Sequence, residues 1–91
     1  MTEHDVRRRF SADIDTDKLA EAALAILSLT LHDGCRVWKG LDWDLMDLLE
    51  EKGWIVDARS KAKSVGLTEE GQELARQFLR KHFRAGSKQQ N

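Results

Sequence analysis

Apolar residues are dense over residues 19–31, and this density predicts the first helix of the chain. Asp15 or Thr16 can cap its first turn, and Gly34 can end it in a left-handed conformation. The apolar side chains point in almost every direction around the axis, whereas a surface helix has a polar stripe. Because so small a domain supplies little cover, we expect a second copy of the chain to cover part of this helix. The candidate contact residues are Leu24, Leu27 and Leu31.

The stretch CRVWKGL, residues 35–41, is compatible with either a short strand or a single helical turn. A second helix is predicted over residues 43–52, because Asp42 can cap its start and Gly53 follows its end. Helical spacing predicts its buried face. That face comprises Trp43, Leu45, Met46, Leu48 and Leu49.

Two runs rich in β-forming residues, WIVDA and SVGLT, flank the polar loop RSKAK at residues 59–63. This pattern predicts a two-stranded β-hairpin. Thr68 can cap a last helix that has Glu69 and Glu70 in its first turn. The predicted inner side of that helix comprises Leu74, Phe78, Leu79 and Phe83. The order helix, short link, helix, hairpin, helix predicts an α+β fold of the winged-helix-like kind.

The predicted organisation is one folded domain over residues 14–84, between a flexible arm at 1–13 and a flexible tail at 85–91. The composition, 41% hydrophobic and 34% charged residues, is ordinary for a soluble globular protein. No apolar stretch reaches the roughly 20 residues that a membrane span needs. The single cysteine excludes an internal disulfide and fits a reducing compartment, so we expect a cytoplasmic protein without a membrane partner.

Residues 48–75 resemble the second half of MarR- or PadR-type regulators, in which a helix ends on LxxKGLI, a basic wing follows, and LTxxG opens a dimerisation helix. The matching positions are Leu49, Lys52, Gly53, Ile55, Leu67, Thr68 and Gly71. A longer stretch, from residue 15 to about residue 83, is similar to a small bacterial family of unknown function. LTLHDGCRVWKGLDWDLMDLLEEKGWIVD and KAKSVGLTEEG carry that similarity. It implies winged-helix architecture and a bacterial origin, and no activity.

The segment 42–52 departs from the regulators, whose corresponding helix lies in the major groove of DNA. Here it is acidic, with no basic residue before Lys52. Its carboxylates are those of Asp42, Asp44, Asp47, Glu50 and Glu51. Duplex DNA carries about one negative charge per 1.7 Å of its axis, so it repels such a face. The formal net charge of −1 does not favour a nucleic-acid partner either.

Basic residues cluster at two other places that are candidates for contact with phosphates. The first is the hairpin loop with Arg59, Lys61 and Lys63, and the second is the arm with Arg7, Arg8 and Arg9. A loop of this composition is equally typical of a surface that is merely well solvated.

The last helix carries Arg76, Arg80 and Arg84 at four-residue spacing on one side. This row can bind phosphates, or it can meet the acidic helix of a partner chain. The candidate residues on that acidic helix are Asp44, Asp47 and Glu51. A simpler explanation is that the arginines complement the negative end of their own helix.

The aromatic and thiol-bearing residues give little support for catalysis. Trp38, Trp43 and Trp54 are expected to gather in the core near Gly40, although aromatic residues also line ligand pockets. His32 and Cys35 form only one pair with metal-ligand spacing, and no glycine-rich loop or nucleophile turn surrounds the thiol. We therefore expect no catalytic residue, metal site or cofactor.

Together these features favour a non-enzymatic winged-helix-like module that forms a homodimer and binds another protein. The alternative is a DNA-binding transcriptional regulator that contacts DNA through the basic wing and the N-terminal arm.

Overall fold

The computed structural model of the chain describes residues 13–85. Arg7, Arg8 and Arg9, with nearly all of the predicted arm, and the predicted tail from residue 86 onward lie outside the described residues. The elements are α1 (Thr16–Ser28), β1 (Arg36–Trp38), α2 (Trp43–Glu51), β2 (Ile55–Val56), β3 (Ser64–Leu67) and α3 (Glu69–Phe83). This α+β arrangement of helices and a small antiparallel sheet confirms the predicted fold class. Within residues 13–85, no helix has the length and apolarity needed to cross a membrane.

Helix α1 begins as predicted but ends early. The Asp15 carboxylate accepts a hydrogen bond from the backbone N–H of Lys18 at 3.0 Å, so Asp15 is the N-cap. The helix ends at Ser28, and the Thr30 hydroxyl donates to the carbonyl of Leu27 at 2.8 Å. The prediction that Gly34 ends this helix is wrong. Gly34, with φ of 84°, lies in the tight turn between two bridged residues, His32 and Arg36.

The sheet has three antiparallel strands in the order β1–β3–β2. Val37 pairs with Val65 across β1 and β3, and Ile55 pairs with Leu67 across β2 and β3. Residues 36–38 are therefore a strand, which settles the choice between strand and helical turn. The predicted hairpin is confirmed as β2–β3. Strand β1 pairs with the other side of β3, so the hairpin is part of a three-stranded sheet. We call β2, β3 and the loop between them, residues 55–67, the wing.

The domain covers most of α1 by itself. Helix α1 is packed against α3, and it also contacts α2 and β1. Leu24 is fully buried and Leu27 is 3% exposed, so both belong to the domain's own core rather than to its surface. Of the three leucines predicted to contact a second chain, only Leu31 is exposed, at 48%. The buried core comprises Ala20, Ala23, Leu24, Ala25, Leu27, Val37, Met46, Leu48, Leu49, Trp54, Ile55, Ala58, Val65, Leu67, Ala75 and Phe78.

The aromatic residues do not gather as predicted. Trp54 is buried and packs against Phe78, with ring centroids 5.4 Å apart. Helical spacing predicts Trp43 on the buried face of α2, yet this side chain is about half exposed, as is that of Trp38. The inner face of α2 consists of Met46, Leu48 and Leu49. On α3, Phe78 is buried as predicted, Leu74 and Leu79 are half-buried, and Phe83 is half exposed, since it lies in the last turn.

A carboxylate ties α1 to α3. Glu21 Oε1 lies 2.7 Å from His82 Nε2 and 3.0 Å from Lys81 Nζ. The hydrogen bond from His82 lowers the pKa of Glu21 below its usual range, and Lys81 adds to this effect, while burial acts against it. The folded state therefore holds the ionised carboxylate more strongly than the unfolded chain does.

This contact predicts a specific pH dependence of stability. Because the pKa of Glu21 is depressed by folding, its stabilising contribution is present above the unfolded-state pKa and is lost as pH falls through the folded-state value. The free energy of unfolding of Glu21→Gln, measured by urea denaturation, should fall less than that of wild type on acidification from pH 6 to about pH 3. Glu51→Gln, at an exposed position on α2, is the matched control and should retain the wild-type profile. Identical profiles for wild type and Glu21→Gln would contradict this role.

Candidate functional site

The wing and the acidic helix hold each other. Arg59 Nε and Nη2 donate to the two carboxylate oxygens of Asp47, at 3.0 and 2.6 Å. This hydrogen bonding to Asp47 raises the pKa of the Arg59 guanidinium. Glu50 Oε1 accepts a hydrogen bond from the backbone N–H of Ala58 at 3.1 Å, where the chain leaves β2. Two of the five carboxylates of segment 42–52 therefore anchor the wing within the chain.

These contacts change the status of two predicted site residues. The sequence predicts Arg59 as a contact for phosphate and Asp47 as a contact for a partner chain. The structure brings them together as a bidentate ion pair. Lys61 and Lys63, the other two cations of the wing, are exposed.

An open groove of about 680 Å³ lies between the wing, the end of β1 and the start of α2. We call it the tryptophan groove. Its lining residues are Trp38, Lys39, Leu41, Trp43, Met46, Ser60, Lys61, Ala62 and Lys63. Trp38 is 51% exposed and Trp43 is 53% exposed, which is unusual for the largest apolar side chains of so small a domain. Trp38 points outward because Val37, its neighbour in β1, points into the core.

Both indole rings of the groove are held by their neighbours. The His32 ring stacks on Trp38 with a centroid distance of 4.2 Å and an angle of 23°. The backbone N–H of Trp38 donates to the Thr30 hydroxyl at 3.0 Å. The Trp43 ring has the Arg59 guanidinium 5.1 Å and the Lys39 ammonium 5.7 Å from its centroid, distances typical of cation–π contacts.

Asp33 and Cys35, on either side of Gly34, contribute to the turn and to backbone hydrogen bonding. Asp33 has φ of 49° within the turn, and the carbonyl of Cys35 accepts from the N–H of Leu67 at 2.7 Å. Cys35 is a half-buried free thiol. Within residues 13–85, no three His, Cys, Asp or Glu side chains converge as metal ligands do.

A second surface combines the end of α1 with the outer side of α3. We call it the α1–α3 face. It comprises Ile26, Leu29, Leu31, Leu79 and Phe83, with Arg76, Arg80 and Arg84 beside them. Leu79 and Arg76 line both of its shallow depressions, one shared with Leu29 and Leu31 and the other with Phe83. Leu29 is 69% exposed, and Arg76 pairs with Glu73 on its own helix at 2.6 Å.

A sequence profile described as "Domain of unknown function (DUF6429)" matches residues 15–85. The chain belongs to this family. It is also 45% identical over 71 residues to "Uncharacterized protein y4hR" of Sinorhizobium fredii, an alignment that covers 78% of this chain and 96% of that protein. No solved structure matches the chain. The family match and the Sinorhizobium relative agree with the resemblance to an uncharacterised bacterial family, whereas the likeness of the wing to MarR- or PadR-type regulators stays a prediction.

The match begins at Asp15, the N-cap of α1, and ends just beyond α3, so the DUF6429 unit coincides with the described fold. Sequence reasoning missed two parts of its surface. Trp38 and Lys39 line the groove, which only the strand conformation of residues 36–38 makes evident. Ile26 and Leu29 are exposed at a spacing of three residues, a signal that was hidden because nearly every position of α1 is apolar.

Proposed function

We propose that this DUF6429 protein is a non-enzymatic interaction module that forms a homodimer through the α1–α3 face. The observation that carries the proposal is the exposure of Ile26, Leu29, Leu31 and Phe83 beside the half-buried Leu79. Isolated exposed apolar residues are ordinary, but contiguous ones mark surfaces that another molecule covers. A face of this kind on a small domain suits protein association.

A second copy of the chain fits the α1 part of this face. Ala22, Ile26 and Leu29 follow one another at spacings of four and three residues and therefore share one side of α1. In a two-fold symmetric dimer, this stripe on one chain packs against the same stripe on the other chain. The small side chain of Ala22 permits a close approach of the two helices.

Disruption of this face should separate the two copies. Leu29→Glu is expected to weaken the dimer by at least about 30-fold, because each subunit loses roughly 1 kcal/mol of apolar burial and a two-fold dimer contains the change twice. Size-exclusion chromatography with light scattering, followed over a range of protein concentrations, measures the shift. Val56→Glu places the same charge at another exposed apolar position, on β2, and should leave the dimer unchanged.

Two results would overturn the proposal. One is a wild-type protein that stays monomeric at several hundred micromolar. The other is a dimer that tolerates Leu29→Glu but dissociates on Val56→Glu, since the contact would then lie on the sheet side of the domain.

Exposed Lys61 and Lys63 support a second candidate function, duplex DNA binding through the wing. This candidate requires salt-dependent binding that is lost when Arg59, Lys61 and Lys63 are replaced by alanine. The pairing of Arg59 with Asp47 counts against it, because the wing offers two rather than three unpaired basic side chains. The carboxylates of α2 lie next to the same wing and repel a duplex.

A further inference from the structure

The tryptophan groove is cationic. Lys39, Lys61 and Lys63 line it, and no carboxylate is among its lining residues. Of the nearby carboxylates, that of Asp47 is paired with Arg59, and Asp44 also lies close enough to Arg59 to raise the pKa of its guanidinium. The Lys39 ammonium donates to the carbonyl of Ser60, which places it against the loop of the wing. A ligand that enters this groove therefore meets positive charge on the side of the wing and on the side of β1.

The groove also presents two aromatic rings at fixed positions. The stacked His32 and the hydrogen bond to Thr30 position Trp38, while Lys39 and Arg59 flank Trp43. Each tryptophan keeps about half of its surface exposed to water. Since the contacts that hold them are already made, little side-chain entropy is lost when a flat ligand stacks on them.

We propose that the tryptophan groove binds single-stranded nucleic acid. Unpaired bases stack on Trp38 and Trp43, and the phosphates between them pair with Lys39, Lys61 and Lys63. Aromatic rings interleaved with basic side chains along an open groove are the features that bind single strands without sequence preference. The groove shares no residue with the α1–α3 face, so this inference goes beyond the proposed dimerisation and does not depend on it.

The chemistry of the groove favours a single strand over two other polyanions. A duplex keeps the faces of its bases stacked inside the helix, so the indole rings have nothing to stack on. An acidic polypeptide offers carboxylates to the lysines but no ring faces to the tryptophans. Only a single strand carries both groups along one chain.

Tryptophan fluorescence offers a direct test with the full chain. We would titrate an oligothymidylate of about 15 nucleotides, within the site sizes of single-strand binding domains. The same titration is made with a duplex of equal length and with poly-glutamate of matched charge. Trp38 and Trp43 should be quenched by the single strand, and the buried Trp54 should keep its emission. Three phosphate contacts predict a log–log salt slope of about −2.

Variants connect binding to the groove. Trp38→Leu should weaken binding of the single strand by about 10-fold, and Trp38→Phe should retain most of it, because a phenyl ring still stacks. Lys61→Gln should make the salt slope less steep by about 0.7. Lys18→Gln, the same charge change at an exposed position on α1, should leave the slope unchanged. Circular dichroism confirms that each variant is folded.

The alternatives give distinct results. Tighter binding of the duplex would overturn the proposal in favour of the wing-mediated candidate, and equal binding of poly-glutamate would show a general acidic-partner surface instead. Absence of binding at low salt, or equal losses for Lys61→Gln and Lys18→Gln, would also refute it.

Discussion

Gly71→Ala is expected to lower the free energy of unfolding by about 3 kcal/mol, at the upper end of the cost of overpacking a core. A Cβ atom at this position would overlap the carbonyl oxygen of Trp54 and lie 2.9 Å from its carbonyl carbon. The obstacle is backbone rather than the flexible end of a side chain, so either α3 or the segment before β2 must move. Urea denaturation followed by far-UV circular dichroism measures the loss.

The cost is high because the same carbonyl of Trp54 is hydrogen-bonded to the residue that caps α3. Trp54 O accepts from the backbone N–H of Thr68 at 3.0 Å, and the Thr68 hydroxyl accepts from the N–H of Gly71 at 2.9 Å. The Thr68 hydroxyl also donates to the carbonyl of Gly53 at 2.7 Å. Displacement of either segment therefore weakens the N-cap of α3 together with the local packing.

Gly40→Ala is the matched control for this prediction. A Cβ at Gly40 meets no heavy atom within 4 Å, and its backbone does not need positive φ. Its stability should stay within about 0.5 kcal/mol of wild type, as for most surface substitutions. A Gly71→Ala protein as stable as Gly40→Ala would show that α3 does not approach Trp54 as closely as the structure has it.

Local patterns in the sequence were sufficient to predict most elements. The caps at Asp15, Asp42 and Thr68 are confirmed, because each uses a hydrogen bond that spans only two or three residues. The hairpin is confirmed as well, since its alternation and its polar loop are contiguous in the chain. These features depend on residues that are close together in the sequence.

Features that depend on distant residues were not predicted. The third strand requires Val37 to pair with Val65, and the requirement for glycine at position 71 depends on Trp54. The ion pair between Asp47 and Arg59 accounts for one of the five carboxylates of segment 42–52, and charge patterning alone does not reveal that these two residues meet. Hydrophobicity likewise placed Trp38 and Trp43 in the core, whereas strand direction and the position of the cap place them at the surface.

Leu24→Ala is expected to lower the free energy of unfolding by about 3 kcal/mol, within the range for leucine-to-alanine changes in protein cores. Leu24 is fully buried and belongs to a core that includes residues of α1, α2, α3 and the sheet, so its truncation loses apolar burial and leaves a cavity. Leu31→Ala, at a side chain that is 48% exposed, should cost less than about 1 kcal/mol in the monomer. Urea denaturation of both variants gives the comparison.

The comparison is best made in the Leu29→Glu background at low protein concentration, so that self-association does not add to the measured stability. There, a large loss for Leu24→Ala and a small one for Leu31→Ala would mean that the domain covers most of α1 by itself. Similar small losses for both would instead mean that Leu24 is covered by a second copy, as the apolar pattern alone suggests. The first result limits the surface that a partner covers to the exposed residues of the α1–α3 face, because a residue already inside the core contributes no new burial on association.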